Sequence, residues 1–174
     1  MMDELNAVEQ KFVTQVAPRM RNSFWLALAM AITRLGNFWL YPIIGAIVFI
    51  EKGVSSWSIL AIGGANIFFL HKIYPILKEK CARIRPIKPN IPGTPEFNPL
   101  DVYSFPSGHV MTLTGLVIPI MVAYPDSVWL GVAAIFIMAW ARIACAHHYP
   151  TDVLGGITLG FVVSYPFAVF LLAR

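Results

Sequence analysis

Apolar residues arrive in this chain as long runs rather than as periodic stripes, and charges seldom interrupt them. Crossing a bilayer's hydrocarbon core takes about 20 residues of helix. Five segments are suited to crossing, at residues 35–50, 57–77, 107–124, 128–146 and 150–172. A sixth apolar stretch, 24–32, is too short to cross alone. It is either a re-entrant or interfacial piece, or a full span that recruits its flanks. Only 13% of the residues are charged against 57% hydrophobic, where a soluble domain carries about a quarter charged. The expected fold is therefore all-α: a polytopic integral membrane bundle of five to six transmembrane helices.

One domain is expected over 1–174, divided into an N-terminal interfacial segment (1–33) and a core (34–174). Asp3, Glu4, Glu9, Lys11 and Arg19 do not form the charge pattern of a cleavable signal. Residues 3–20 read instead as an amphipathic helix lying along the membrane surface. Cys81 and Cys145 lack metal-ligand spacing and any disulfide framework, so both read as free thiols. The net charge of +4 gathers beside apolar spans, which suits anionic lipid head groups. It forms no basic stripe with interleaved aromatics, so nucleic-acid binding is set aside. The long loop 87–105 contains Pro89, Pro92, Pro95 and Pro99, which impose a stiff, extended path. Such a loop is either a lid or specificity element or a plain connector.

Three polar stretches break the apolar pattern. Six residues separate Lys78 from Arg85-Pro86; Pro106-Ser107-Gly108-His109 opens a span; five residues separate Arg142 from His148, and three separate His148 from Asp152. With alternating crossings all three fall on one membrane face. Lys78, Arg85 and Arg142 supply the cationic clamp that phosphoryl transfer requires, the arginines with planar forks. Lys78 and Arg85 taken alone also fit snorkelling at an interface. Ser107 suits a helix N-cap whose unpaired amides attract an anion, and Gly108 lets a phosphate approach the backbone. His148 and Asp152, four apart, fit an imidazole nucleophile oriented by a carboxylate. Lys72, Lys80, Arg83 and Lys88 read as solvated or lipid-facing, and neither His147 nor His71 matches the pattern. The acidic residues are too scattered for a magnesium or two-metal site, so no metal or other cofactor is expected. Glu96 and Asp101, in the long loop, are candidates to contact a head group.

This order of motifs resembles the type-2 phosphatidic acid phosphatase family of membrane lipid phosphatases, across about residues 34–165. The resemblance implies a fold shared with vanadium haloperoxidases and bacterial acid phosphatases. It also implies that His109 is the general acid protonating the leaving lipid alkoxide. The expected activity is metal-independent hydrolysis of a lipid phosphate or pyrophosphate through a phosphohistidine intermediate. Candidate substrates are undecaprenyl pyrophosphate, phosphatidic acid, phosphatidylglycerol phosphate and a lipid A phosphate. One position departs: the family has Ser immediately before the Arg of its third motif, and Ala141 stands here. The alternatives are a lipid phosphotransferase using the same site, a small transporter, and a catalytically weak binding relative. A bacterial inner-membrane protein is expected. With five spans the positive-inside rule puts the site in the cytoplasm; a sixth, at 24–32, would remove that bias.

Overall fold

The computed structural model describes residues 2–19, 23–86 and 101–172. Most of the 87–105 loop, with Glu96 and Lys88, lies outside them. The described chain is helical: α1 Met2–Arg19, α2 Ser23–Leu35, α3 Leu40–Lys52, α4 Trp57–Cys81, α5 Gly108–Ala123, α6 Val128–Ala144 and α7 Pro150–Leu172. Short 3-10 turns at Gly53–Ser56 and Pro125–Ser127 join α3 to α4 and α5 to α6. Three helical stretches, Leu40–Cys81, Pro125–Ala144 and Pro150–Leu172, are long and apolar enough to cross a membrane. Phe24–Leu35 and Gly108–Ala123 are shorter apolar helices.

Helix α5 sits at the centre, with every residue from Val110 to Ile120 buried. A helix apolar on all sides has no face to offer water, and the core of a bundle is where such a helix belongs. Its main neighbour is α7, and α4 and α6 flank the pair. Between lipid-embedded helices the hydrophobic effect supplies little attraction, so close backbone approach matters more. Gly156 and Gly160, four residues apart on α7, provide it. A Cβ on Gly156 would lie 2.7 Å from the Ser107 carbonyl oxygen, and one on Gly160 would lie 2.6 Å from the Thr114 Cβ. The outer faces carry Trp129, Phe136, Phe161 and Phe170, all exposed, as a lipid-facing shell requires.

Two boundaries differ from the sequence expectation. The span expected from residue 35 begins at Leu40, because α2 runs on through Leu35 and a turn follows. Gly36 permits that turn to press on its neighbours: a Cβ there would meet the Met138 methyl at 2.5 Å and the His109 ring at 2.9 Å. The helical end expected to carry Lys78 to Arg85 stops at Cys81. Ala82 adopts a left-handed conformation (φ 43°) and its amide closes the helix on the Lys78 carbonyl. Beyond it the chain is extended, and Ile84 pairs with Tyr103 in an isolated bridge. The Ser104 amide donates to the Arg83 carbonyl at 2.7 Å, tying the first motif to the approach of the second.

Candidate active site

The ends of α4, α5, α6 and α7 that carry the motifs converge on His148. This residue lies between α6 and α7 and is 1% exposed. Its Nε2 receives Arg85 Nη1 at 3.2 Å and Arg142 Nη2 at 3.1 Å. A guanidinium has only donors, so Nε2 must be the unprotonated nitrogen, its lone pair directed into the cation cluster. The proton therefore sits on Nδ1, which faces Asp152 Oδ2 at 3.6 Å. That distance is beyond a hydrogen bond, where the sequence led us to expect one. The reason is competition: Oδ2 accepts from the Tyr149 amide at 2.8 Å, and Oδ1 accepts from Arg83 Nη1 at 2.7 Å. Burial, reinforced by the charges of Arg142, Arg85, Lys78 and His147, holds the His148 imidazole well below its ordinary pKa. The ring is thereby held in its neutral form.

Lys78, in the last turn of α4, is 4% exposed. Its Nζ donates to Asp101 Oδ1 at 2.6 Å and to the Tyr103 carbonyl. Arg85 reaches the same carboxylate through Nη2 at 2.5 Å, the Asp101 carbonyl through Nε at 2.9 Å and the His147 carbonyl through Nη1 at 2.5 Å. Tyr74 donates to Asp101 Oδ2 at 2.7 Å. Burial alone would raise the Asp101 carboxyl, but hydrogen bonds from Lys78, Tyr74 and Arg85 keep it below the usual carboxylate range. Asp101, expected as a head-group contact, instead spans two of the three cations of the expected phosphate clamp.

Ser107 has the extended conformation of an N-cap (φ −73°, ψ 106°), yet its hydroxyl makes no capping bond. The Ser107 Oγ and Arg142 Nε atoms are buried without a partner among the described residues. The Ser107 amide donates to the Asp152 carbonyl at 2.9 Å, which joins the second motif to the third. Gly108 packs against Tyr74, whose hydroxyl would lie 2.8 Å from an added Cβ. His109 Nε2 lies 2.7 Å from Asn37 Oδ1, within electrostatic range of Arg142 and Arg85. All eight residues singled out from the sequence thus belong to one cluster.

A family model, the PAP2 superfamily, matches residues 55–174. The chain belongs to this superfamily. Among curated relatives, the decaprenylphosphoryl-5-phosphoribose phosphatase of Mycobacterium tuberculosis is 30% identical over 142 residues, covering 79% of this chain and 76% of that protein. The undecaprenyl-diphosphatase of Sulfolobus acidocaldarius is 30% identical over 64 residues, 36% of this chain and 31% of that protein's length. A crystal structure of a transmembrane PAP2-type phosphatidylglycerolphosphate phosphatase from Bacillus subtilis shares the fold. Its TM-score is 0.70 at 22% identity, with 98% of this chain and 87% of that chain covered. The chain is therefore an integral membrane member of a phosphatase family.

Against that PAP2 background a further sequence expectation needs correction. Arg83 is neither solvated nor lipid-facing; it is 7% exposed and binds Asp152. In an extended segment residues two apart share a face, so Arg83 and Arg85 both turn inward while Ile84 is 79% exposed. Reading the segment as helix hid this. Lys72 and Lys80 are exposed as expected, and Lys88 is outside the described residues. His71 is exposed and 3.4 Å from Thr112. His147 is buried, but its backbone carbonyl serves the site. Ala141 is fully buried in a seam with Ala29 and Ala144. Asn37 and the Gly156/Gly160 pair were missed; the four-residue glycine spacing in an apolar run was the available signal.

Proposed function

We propose that this PAP2 protein hydrolyses a lipid phosphate or pyrophosphate without a metal, through a phosphohistidine on His148. The observation that carries this reading is the pair of guanidiniums donating to His148 Nε2. It sets the tautomer and places the attacking lone pair among the groups that would bind phosphate. Lys78, Arg85 and Arg142 would hold the equatorial oxygens, with Ser107 Oγ and the first amides of α5 as further donors. Nε2 attacks phosphorus in line, the bond to the lipid oxygen breaks, and His109 delivers the proton to that oxygen. Water then attacks the phosphohistidine, His109 takes its proton, and His148 leaves. The relatives named above support polyprenyl-linked or glycerophospholipid phosphates as the substrate class.

We place five spans in the membrane, with α2 and α1 on the motif face. Several partners of α2 fall at the end of α6: Trp25 with Trp140, Ala29 with Ala141 and Ala144, Thr33 with Cys145; Ile32 also packs on the cluster that holds Ile135 and Met138. A helix crossing alongside α6 would meet residues spread along its length. With α2 lying across that end, Lys11 and Arg19 of α1 stay on the motif face, and the positive-inside rule favours a cytoplasmic site.

The test is phosphate release from a panel of detergent-solubilised lipid phosphates, with His148→Ala as control and alkaline-quench trapping of the base-stable, acid-labile phosphohistidine. Turnover that survives His148→Ala refutes the mechanism. Parallel reactions with an acceptor lipid separate hydrolysis from phosphotransfer. Absence of turnover on every lipid favours a transporter or a binding relative. Maleimide labelling of a cysteine introduced in the 87–105 loop of intact cells reports the side.

A further inference from the structure

Helix α7 begins at Pro150, and the Thr151 amide in its first turn is a donor with no intrahelical acceptor. The partner comes from α1. Glu9 Oε1 accepts from the Thr151 amide at 2.8 Å, and Oε2 accepts from Thr151 Oγ1 at 2.7 Å. The same Oε2 receives Arg83 Nη2 at 2.5 Å. Arg83 is thus a bridge: Nη2 holds Glu9, and Nη1 holds Asp152 Oδ1 at 2.7 Å. Asn6 Oδ1 completes the guanidinium, receiving Nε at 3.0 Å and Nη2 at 2.7 Å. The Arg83 guanidinium stacks 4.2 Å from the centre of the Tyr149 ring, and the Tyr149 hydroxyl donates to Gln10 at 3.1 Å. Glu9 is 6% exposed and Asp152 fully buried, so solvent screens this chain of charges weakly.

We propose that Glu9 is a positioning residue for the reaction at His148, making helix α1 a working part of the site as well as a surface element. The proposal rests on the phosphohistidine reading. Arg83 divides its charge between two carboxylates. With Glu9 present, Asp152 keeps more of its negative field for the Nδ1–H side of His148. That field favours the cation the ring becomes when Nε2 is phosphorylated. Without the Glu9 charge, Arg83 acts on Asp152 alone and the support weakens. The other charged and titratable groups facing this pair are Arg142 from α6, Lys78 and Arg85 from the α4 end, and His147 and Tyr149 from the α6–α7 corner. All of them remain in place when Glu9 changes.

The experiment compares Glu9→Gln and Asn6→Asp with the unaltered chain, full length and in nanodiscs. Two quantities are read: the 15N-imidazole titration of His148, assigned against His148→Ala, and kcat and KM on a lipid phosphate. Glu9→Gln keeps the shape and removes the charge; the His148 titration should fall by about one pH unit and kcat about tenfold, with KM within about twofold. Asn6→Asp adds a carboxylate to Arg83 and should move the titration the opposite way. A structural role alone lowers the folded fraction and gives neither the opposite signs nor a shifted titration. An unmoved titration in both variants overturns the proposal. If the unaltered protein releases no phosphate from any lipid, the functional reading falls, and the two titrations still decide whether Glu9 acts on His148. If Glu9→Gln does not fold, the upward shift from Asn6→Asp decides alone.

Discussion

Replacing Gly156 by alanine tests whether the α5–α7 seam sets the geometry of the site. The new methyl would lie 2.7 Å from the Ser107 carbonyl oxygen and 3.3 Å from the Met111 amide nitrogen, where ordinary contact begins at 3.4 Å. Both obstacles are backbone, so no side chain can swing aside, and the seam must open by about 0.7 Å. Overpacking of this kind costs about 1–3 kcal/mol. Alanine's better helix propensity returns about 1 kcal/mol. Gly64 on α4 gives the comparison, because nothing lies within 4 Å of a Cβ built there. Gly64→Ala should therefore be neutral or slightly stabilising, and the two variants should differ by about 1–3 kcal/mol. Opening the seam also carries Ser107 away from Asp152, to which its amide is bonded at 2.9 Å. A misplacement of about 1 Å can cost on the order of 100-fold in rate, so kcat should fall about 10- to 100-fold in Gly156→Ala alone. Thermal unfolding in detergent and initial rates of phosphate release measure both effects. Equal melting shifts for the two alanines, with kcat unchanged in both, would refute the reasoning.

Other outcomes follow from the same geometry. Asp101→Asn removes a carboxylate that occupies Lys78 and Arg85; inhibition by inorganic phosphate should tighten about tenfold, and an unchanged or weaker inhibition constant would contradict this. Asn37→Ala frees the His109 ring. It should slow lipid alkoxide release about tenfold or more, while a substrate with a good leaving group such as a nitrophenyl phosphate loses little; equal losses on both would remove His109 as the acid. Because the folded protein holds His148 below the ordinary imidazole value, the unfolded chain binds more protons below about pH 6.5. Stability should therefore fall as pH drops through that point, and kcat/KM corrected for substrate ionisation should show no loss from protonation of His148 near 6.5. A His148 15N titration centred there would count against it.

Much of the site could be read from the chain because its chemistry is out of place. Lys78, Arg85, Arg142, His148 and Asp152 stand at the ends of apolar runs, where a charge is costly unless it serves a purpose. The helices themselves were legible for the same reason: runs such as 150–172 have no other low-energy conformation in a bilayer. Arg83 was misplaced because α4 ends at Cys81, and the switch from helical to extended backbone changes which residues share a face. Asp101 was visible only as an acidic residue in a proline-rich loop. Its pairing with Lys78 and Arg85 required two chain segments to meet.

Covalent spacing, then, decided the class of the protein and the identity of its reactive groups, since periodicity and composition act over a few turns of chain. Which of those groups touch is a different kind of fact. The His148 tautomer depends on two guanidiniums, one from the extended segment after α4 and one from α6, and the hold on Asp152 depends on Arg83 and on a glutamate 143 residues away in sequence. Such contacts form only when four helix ends close on one another, because Coulomb and hydrogen-bond forces depend on distance through space. That closure is set by the glycines of the α5–α7 seam.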